Sequence, residues 1–132
     1  MKPTFMLDTD SVSFALRGQG RVAARILGHR PSEICISAIT LAELRYGAAR
    51  RNSRKLHDLI DAFTANIAVV PFDETCAAHF GALASDLAER GSPIGEYDVL
   101  IAAHAVALEL TLVTNNVKHF ARVAGLQVEN WV

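Results

Sequence analysis

Residues 91–105 read GSPIGEYDVLIAAHA, a glycine-rich loop that leads into an almost entirely apolar run. Between Val99 and Leu108 only His104 carries a polar side chain, so the run predicts a helix that is buried on all sides. Asp98 stands at the start of this helix, where an ionised carboxylate needs a hydrogen bond, a partner charge or a metal ion. Asp is also a favoured N-cap residue, so capping of the helix is the simpler alternative.

The composition indicates one folded domain that spans residues 1–132. The chain is 51% hydrophobic and 20% charged, with a formal net charge of −1. This charge gives no general attraction to nucleic acid, so any RNA site must be local. Cys35 and Cys76 lie in apolar segments without metal-ligand spacing, which predicts buried free thiols in a reducing compartment. The first residues do not resemble a signal peptide, and no stretch is long enough to cross a membrane, so we expect a cytoplasmic protein.

Predicted strands and helices alternate along the chain. The predicted strands cover residues 5–7, 34–36, 67–70, 112–113 and 126–128. The predicted helices cover residues 11–17, 21–29, 41–51, 53–63, 73–90, a segment beginning at 98, and 118–122. This alternation predicts an α/β fold with a mostly parallel sheet of four to five strands and helices on both faces.

Acidic residues follow the predicted strands at the sheet edge where α/β proteins bind ligands. Asp8 ends the first strand, and Glu43 lies in the first helical turn after the second strand. Thr114 and Asn116 end the fourth strand, and the Asp98 helix leads into that strand. Ligands of open parallel sheets bind beyond the carboxyl ends of the strands. Carboxylates that converge there repel one another, and Mg²⁺ or Mn²⁺ is a common compensation.

Each of these residues also has a purely structural explanation. Asp8 could cap the first helix, or Asp10 could cap it while Asp8 binds metal. Thr40 and Glu43 have the spacing of a capping box, and Thr114 and Asn116 could be turn residues. These explanations leave unexplained why the acids fall on one side of the sheet.

Five stretches in one order carry a family resemblance. They are residues 5–10 (FMLDTD), 37–47 (SAITLAELRYG), 91–104 (GSPIGEYDVLIAAH), 113–116 (VTNN) with His119 and Phe120, and 125–131 (GLQVENW). Together they resemble PIN-domain proteins, specifically the VapC-type toxin ribonucleases of prokaryotic toxin–antitoxin pairs. The resemblance covers nearly the whole chain.

The resemblance implies a three-layer αβα sandwich and an endoribonuclease that depends on Mg²⁺ or Mn²⁺. By family role, Asp8, Glu43 and Asp98 would hold the metal. Many PIN domains carry a fourth acid where this chain has Asn116, which together with Thr114 would support the carboxylates or a water by hydrogen bonding. The resemblance also implies a VapB-type antitoxin, a homodimer that assembles further with it, and a tRNA substrate, with the anticodon region of initiator tRNA as the first candidate.

Local basic residues are the candidates for RNA binding. The densest cluster contains Arg45, Arg50, Arg51, Arg54 and Lys55, and Arg17 and Arg21 are further candidates. Lys and Arg contacts to phosphates give position and affinity without sequence reading. A solvated helix face is the alternative for each of them. The sequence shows no aromatic platform on which bases could stack.

Two other functions fit parts of the sequence. The stretch from Phe5 to Val12 also fits a haloacid-dehalogenase-like phosphatase, with Asp8 as covalent nucleophile. A non-catalytic binding module would use the acids as helix caps. The ribonuclease hypothesis instead predicts that water attacks the phosphodiester and leaves a 5′-phosphate and a 3′-hydroxyl.

Overall fold

The computed structural model describes residues 3–132, which form a five-stranded parallel sheet in the order β3-β2-β1-β4-β5. The strands are β1 (Phe5–Leu7), β2 (Ile34–Ser37), β3 (Ala68–Val70), β4 (Thr111–Val113) and β5 (Val128–Glu129). The central strand β1 pairs with β2 on one side and β4 on the other. The predicted parallel sheet is confirmed, although β5 begins two residues later than the sequence suggested.

Seven helices connect the strands. They are α1 (Thr9–Leu16), α2 (Val22–Leu27), α3 (Ala38–Arg50), α4 (Arg54–Thr64), α5 (Glu74–Glu89), α6 (Glu96–Ala107) and α7 (Val117–Phe120). A single 3-10 turn at Pro31–Glu33 precedes β2. The largest error of prediction is at α3, which begins three residues before the expected residue 41 because Ser37 caps it by accepting a hydrogen bond from the N–H of Ile39.

Alternate residues of the central strand face two separate cores. Met6 packs into a core with Leu87 of α5 and with four residues of α6 (Val99, Ile101, Ala102 and Ala105), whereas Leu7 packs into a core with side chains of α1–α4. Parallel strands that are covered on both faces become apolar on both sides, as β1 and β2 are. The result is the expected αβα sandwich, with the carboxyl ends of β1, β2 and β4 at one edge.

The apolar run after Asp98 forms the buried helix that the sequence predicts. Five consecutive residues of α6, from Ile101 to Ala105, are buried. None of the helices within residues 3–132 combines the length and apolar character needed to cross a membrane.

Candidate active site

Asp8 directly follows the central strand. Its backbone N–H donates to the carbonyl of Val113, which fixes it beside the end of β4. Its Oδ1 accepts a 2.8 Å hydrogen bond from the N–H of Ser11, so Asp8 does cap α1. The side chain is only 4% exposed, and burial raises the pKa of Asp8 to about 6, although hydrogen bonds from Thr114 and Ser11 act in the opposite direction. Capping alone therefore does not offset the cost of burying this carboxylate.

Glu43 lies in the second turn of α3, not in the first turn as the sequence suggested. Because Ser37 is the N-cap, Thr40 lies inside the helix and is fully buried, and the proposed capping box with Glu43 does not form. The Oε1 of Glu43 instead accepts a 2.6 Å hydrogen bond from the hydroxyl of Thr9. Partial burial raises the pKa of Glu43, the Thr9 hydrogen bond lowers it, and the charges of Asp98 and Asp10 raise it further.

Asp98 is the third residue of α6, whose N-cap position is occupied by Gly95. The capping explanation for Asp98 is therefore wrong. Its Oδ2 lies 3.1 Å from Nε2 of His119, which is in α7. Burial raises the pKa of Asp98, His119 opposes this rise, and the nearby charge of Asp10 adds to it.

The charges of nearby acids act on all three predicted metal ligands. Asp98 raises the pKa of Glu43, and Asp10 raises the pKa of Asp8, Glu43 and Asp98 alike. Asp10 is exposed in the first turn of α1 and is a fourth carboxylate near the three predicted ligands. As their side chains stand, no three acidic, imidazole or thiol groups of residues 3–132 are close enough to hold one ion jointly. The Asp8, Glu43 and Asp98 side chains each have a separate hydrogen-bond partner.

Thr114 and Asn116 have different environments. Thr114 is fully buried, and its hydroxyl lowers the pKa of Asp8 by hydrogen bonding. The same hydroxyl accepts a 3.0 Å hydrogen bond from the backbone N–H of Asn116, whose own side chain is exposed. Thr114 thus contacts Asp8 directly, while Asn116 contacts Thr114 through its backbone.

The five predicted RNA-binding residues differ in their contacts. Arg45 forms an ion pair with Asp61 and contacts His57, so it joins α3 to α4. Arg54 pairs with Asp58 at 3.5 Å, and Arg50 and Lys55 are exposed. Of the five, Arg51 lines a cavity of about 130 Å³ that reaches Glu43.

Arg17 joins Arg51 in that cavity, together with Thr9, Ser13 and Gly47. Arg21, the second additional candidate, is exposed before α2. Arg17 and Arg51 are therefore the two basic candidates that the fold brings next to Glu43. Thr9 and His119 were missed as carboxylate partners by sequence reasoning, because hydrogen bonds between distant segments leave no local pattern.

Two kinds of comparison with known proteins agree with this architecture. The family model described as PIN domain matches residues 5–126. The tRNA(fMet)-specific endonuclease VapC of Salmonella typhimurium is 35% identical over 128 residues, with 96% of this chain and 97% of the relative covered. Ribonuclease VapC2 of Haemophilus influenzae is 36% identical, with 97% and 98% covered.

Solved structures give the same result. The DNA-bound VapBC of Salmonella typhimurium contains a chain with a TM-score of 0.93 and 35% identity, covering 98% of this chain and 99% of that one. The VapBC2 of Rickettsia felis, bound to a DNA fragment from its promoter, gives a TM-score of 0.88 at 35% identity with the same coverage. These matches do not favour the phosphatase or the binding module.

Proposed function

The chain belongs to the PIN-domain family and, within it, to the VapC-type toxin ribonucleases, and from this membership we propose that Asp8, Glu43 and Asp98 form the site of its endoribonuclease activity. By family the chain is an endoribonuclease. The observation that carries the proposal is the cluster of carboxylates with raised pKa values at the carboxyl end of the parallel sheet.

The donor set at this cluster fits a hard divalent cation, and we propose Mg²⁺ or Mn²⁺. Carboxylate oxygens are the ligands that such ions prefer, and Mg²⁺ keeps several waters while it uses one or two carboxylates. Direct contact with all three side chains is therefore unnecessary. Burial is the main cause of the raised pKa of each of the three carboxyls, and a bound cation would favour their ionised forms.

The proposed roles follow from the contacts of each side chain. Asp8 and Asp98 would hold the cation, and Glu43 would bind it directly or through water. Thr9 orients Glu43, His119 orients Asp98, and Thr114 supports Asp8. A bound divalent cation supplies positive charge for the phosphate and acidifies water. Hydrolysis by water leaves a 5′-phosphate and a 3′-hydroxyl.

We further propose tRNA as the substrate class and a VapB-type antitoxin as the partner. The Salmonella relative is named for tRNA(fMet), and the chain covers 97% of it. Both compared structures carry the name VapBC. The arginines Arg17 and Arg51 would contact phosphates near the cut, and an antitoxin would block the same carboxylates with a cationic side chain. We also propose that the protein forms a homodimer that assembles further with antitoxin, and that it acts in the prokaryotic cytoplasm.

The test is cleavage of a total tRNA pool by the purified protein in Mg²⁺, Mn²⁺ or EDTA. Asp8→Asn and Asp98→Asn are assayed beside the parent, since Asn at position 8 keeps the helix cap. We expect metal-dependent cutting at discrete sites by the parent and none by the variants. Variants that cut as well as the parent would overturn the assignment of the site. Products with a cyclic 2′,3′-phosphate would overturn the water mechanism.

A further inference from the structure

A second cavity, of about 520 Å³, is also lined by Glu43. Its lining residues are Thr9, Ala42, Glu43, Tyr46 and Tyr97. The two tyrosines are 69% and 59% exposed, which is unusual for such large side chains. We name this surface the tyrosine groove. Its volume is within the range of sites that bind small organic groups.

Each tyrosine lies close in sequence to a predicted metal ligand. Tyr46 lies three residues after Glu43 on α3, and residues at this spacing share one helix face. Tyr97 directly precedes Asp98 in the first turn of α6. Tyr97 is therefore in the same helical turn as Asp98, and Tyr46 is within one turn of Glu43. Because Glu43 lines the groove, a polymer whose reacting group lies at Glu43 can place a neighbouring group against these rings.

The two cavities beside Glu43 differ in charge. Both share Thr9 and Glu43 as a wall, and the smaller one adds Arg17 and Arg51. The lining residues of the tyrosine groove include no Lys or Arg among residues 3–132. The smaller cavity thus suits phosphates, while the tyrosine groove suits an uncharged planar group. A nucleic-acid strand carries both kinds of group at adjacent positions.

We propose that Tyr46 and Tyr97 bind an unpaired nucleobase adjacent to the scissile phosphate. The proposal rests on the proposed function, in which Asp8, Glu43 and Asp98 hold the reacting phosphodiester. Aromatic side chains bind single-stranded bases by stacking, whichever base is present. A base within a duplex is stacked on its neighbours and cannot enter the groove without unpairing. The nucleotide beside the cut therefore lies in a loop or a single-stranded segment.

The test measures binding of an RNA oligonucleotide that spans a cut site identified with the parent protein. Binding is measured by fluorescence anisotropy with Mg²⁺ in the Asp8→Asn background, which prevents cutting. Tyr46→Ala, Tyr97→Ala and the two Phe variants are compared with Leu27→Ala, a matched control because Leu27 is 86% exposed and lines a different cavity. A parallel series of RNAs carries one abasic nucleotide at each position that flanks the cut.

We expect each Ala variant to weaken binding about 5- to 150-fold, while the Phe variants and Leu27→Ala stay within about threefold. One abasic position should cause a similar loss with intact tyrosines and little further loss with the Ala variant, because base and ring form one interaction. A duplex of the same sequence should bind more weakly than the single strand.

Two outcomes would overturn the proposal while the proposed function stands. One is that the Ala variants bind intact RNA as tightly as the tyrosine protein, or that their losses of affinity add fully to the losses caused by every abasic position. The other is Ala variants that change only self-association in sedimentation or affinity for an antitoxin, which would assign the groove to a protein. If the parent neither binds nor cuts any RNA, both the proposed function and this inference fall.

Discussion

The hydroxyl of Thr9 donates a 2.6 Å hydrogen bond to Oε1 of Glu43, from the first turn of α1 to the second turn of α3. The two residues are far apart in sequence, and each follows a neighbouring strand of the sheet. The bond limits the orientations of a carboxylate that would otherwise rotate freely. It also lowers the pKa of Glu43 against the effect of burial.

Replacing Thr9 with Val, which has nearly the same shape, should therefore weaken the site without disturbing its packing. We expect a loss of about 10- to 100-fold in metal affinity or in kcat/KM, the usual cost of removing a residue that orients a metal ligand. Thr9→Ser retains the hydroxyl and should stay near the parent. Metal titration and cleavage rates measure both variants. Equal activity of Thr9→Val and Thr9→Ser would show that the bond does not contribute.

The sequence sufficed for the parallel sheet, the buried helix α6 and the position of Asp8 at the carboxyl end of the central strand. Those features follow from apolar runs, turn residues and the rule for parallel strands, all of which are local or topological. The start of α3 was wrong because Ser37 and Thr40 are both good caps, and only the packing of Thr40 into the core decides between them.

Side-chain partners across the fold could not be read from sequence. The pairing of His119 with Asp98 and of Arg45 with Asp61 depends on how α6, α3 and their neighbours pack. The exposure of Tyr46 is likewise a tertiary property, since an aromatic residue in an apolar-rich helix is more often buried. The sequence likewise did not indicate the ion pairs of Arg45 and Arg54 within the predicted basic cluster.

Asp8 should make the metal-free protein less stable as pH rises. Burial raises its pKa from 3.8 to about 6, so the folded state binds the proton more tightly than the unfolded state. The stabilisation from the protonated form is complete below pH 4 and is lost as pH rises through 6. In EDTA at pH 7 to 8, the free energy of unfolding of Asp8→Asn should therefore exceed that of the parent by up to about 3 kcal/mol.

Urea unfolding of both proteins from pH 4 to 8 checks this expectation, since their difference isolates Asp8 from other titrating groups. Added Mn²⁺ should raise the urea concentration at the unfolding midpoint of the parent and leave that of Asp8→Asn nearly unchanged. Parallel pH curves for the two proteins would contradict the assignment of a raised pKa to this carboxyl.

His119 should set the lower pH limit of activity through Asp98. Burial raises the pKa of Asp98, and the charge and hydrogen bond of His119 counteract that rise. His119→Ala should raise the pKa of Asp98 further, so the acid side of the kcat/KM profile should move to higher pH. His119→Gln keeps a hydrogen-bond donor without a charge and should shift less. An unshifted profile in His119→Ala would show that the pair has no influence on the reaction.

Arg51 should contribute a phosphate contact that Arg54 does not. Arg51 lines the cavity that reaches Glu43, whereas the side chain of Arg54 is 91% exposed and pairs with Asp58. Arg51→Gln in the Asp8→Asn background should weaken binding of all RNA sequences alike and reduce the salt slope by about 1. Arg54→Gln is the control and should leave the slope unchanged. Identical slopes for the two variants would remove Arg51 from the RNA site.

Ser37 should be more important for stability than an ordinary helix cap. Its hydroxyl caps α3 and lies 2.8 Å from Nδ1 of His104, which is fully buried and whose Nε2 has no partner within residues 3–132. Ser37→Ala would leave both ring nitrogens unpaired, so we expect a loss of about 2–4 kcal/mol in unfolding free energy. Ser53→Ala removes a comparable cap from α4 and should cost about 1 kcal/mol. Equal losses in urea unfolding would mean that Ser37 acts as an ordinary helix cap and that its contact with His104 adds nothing to stability.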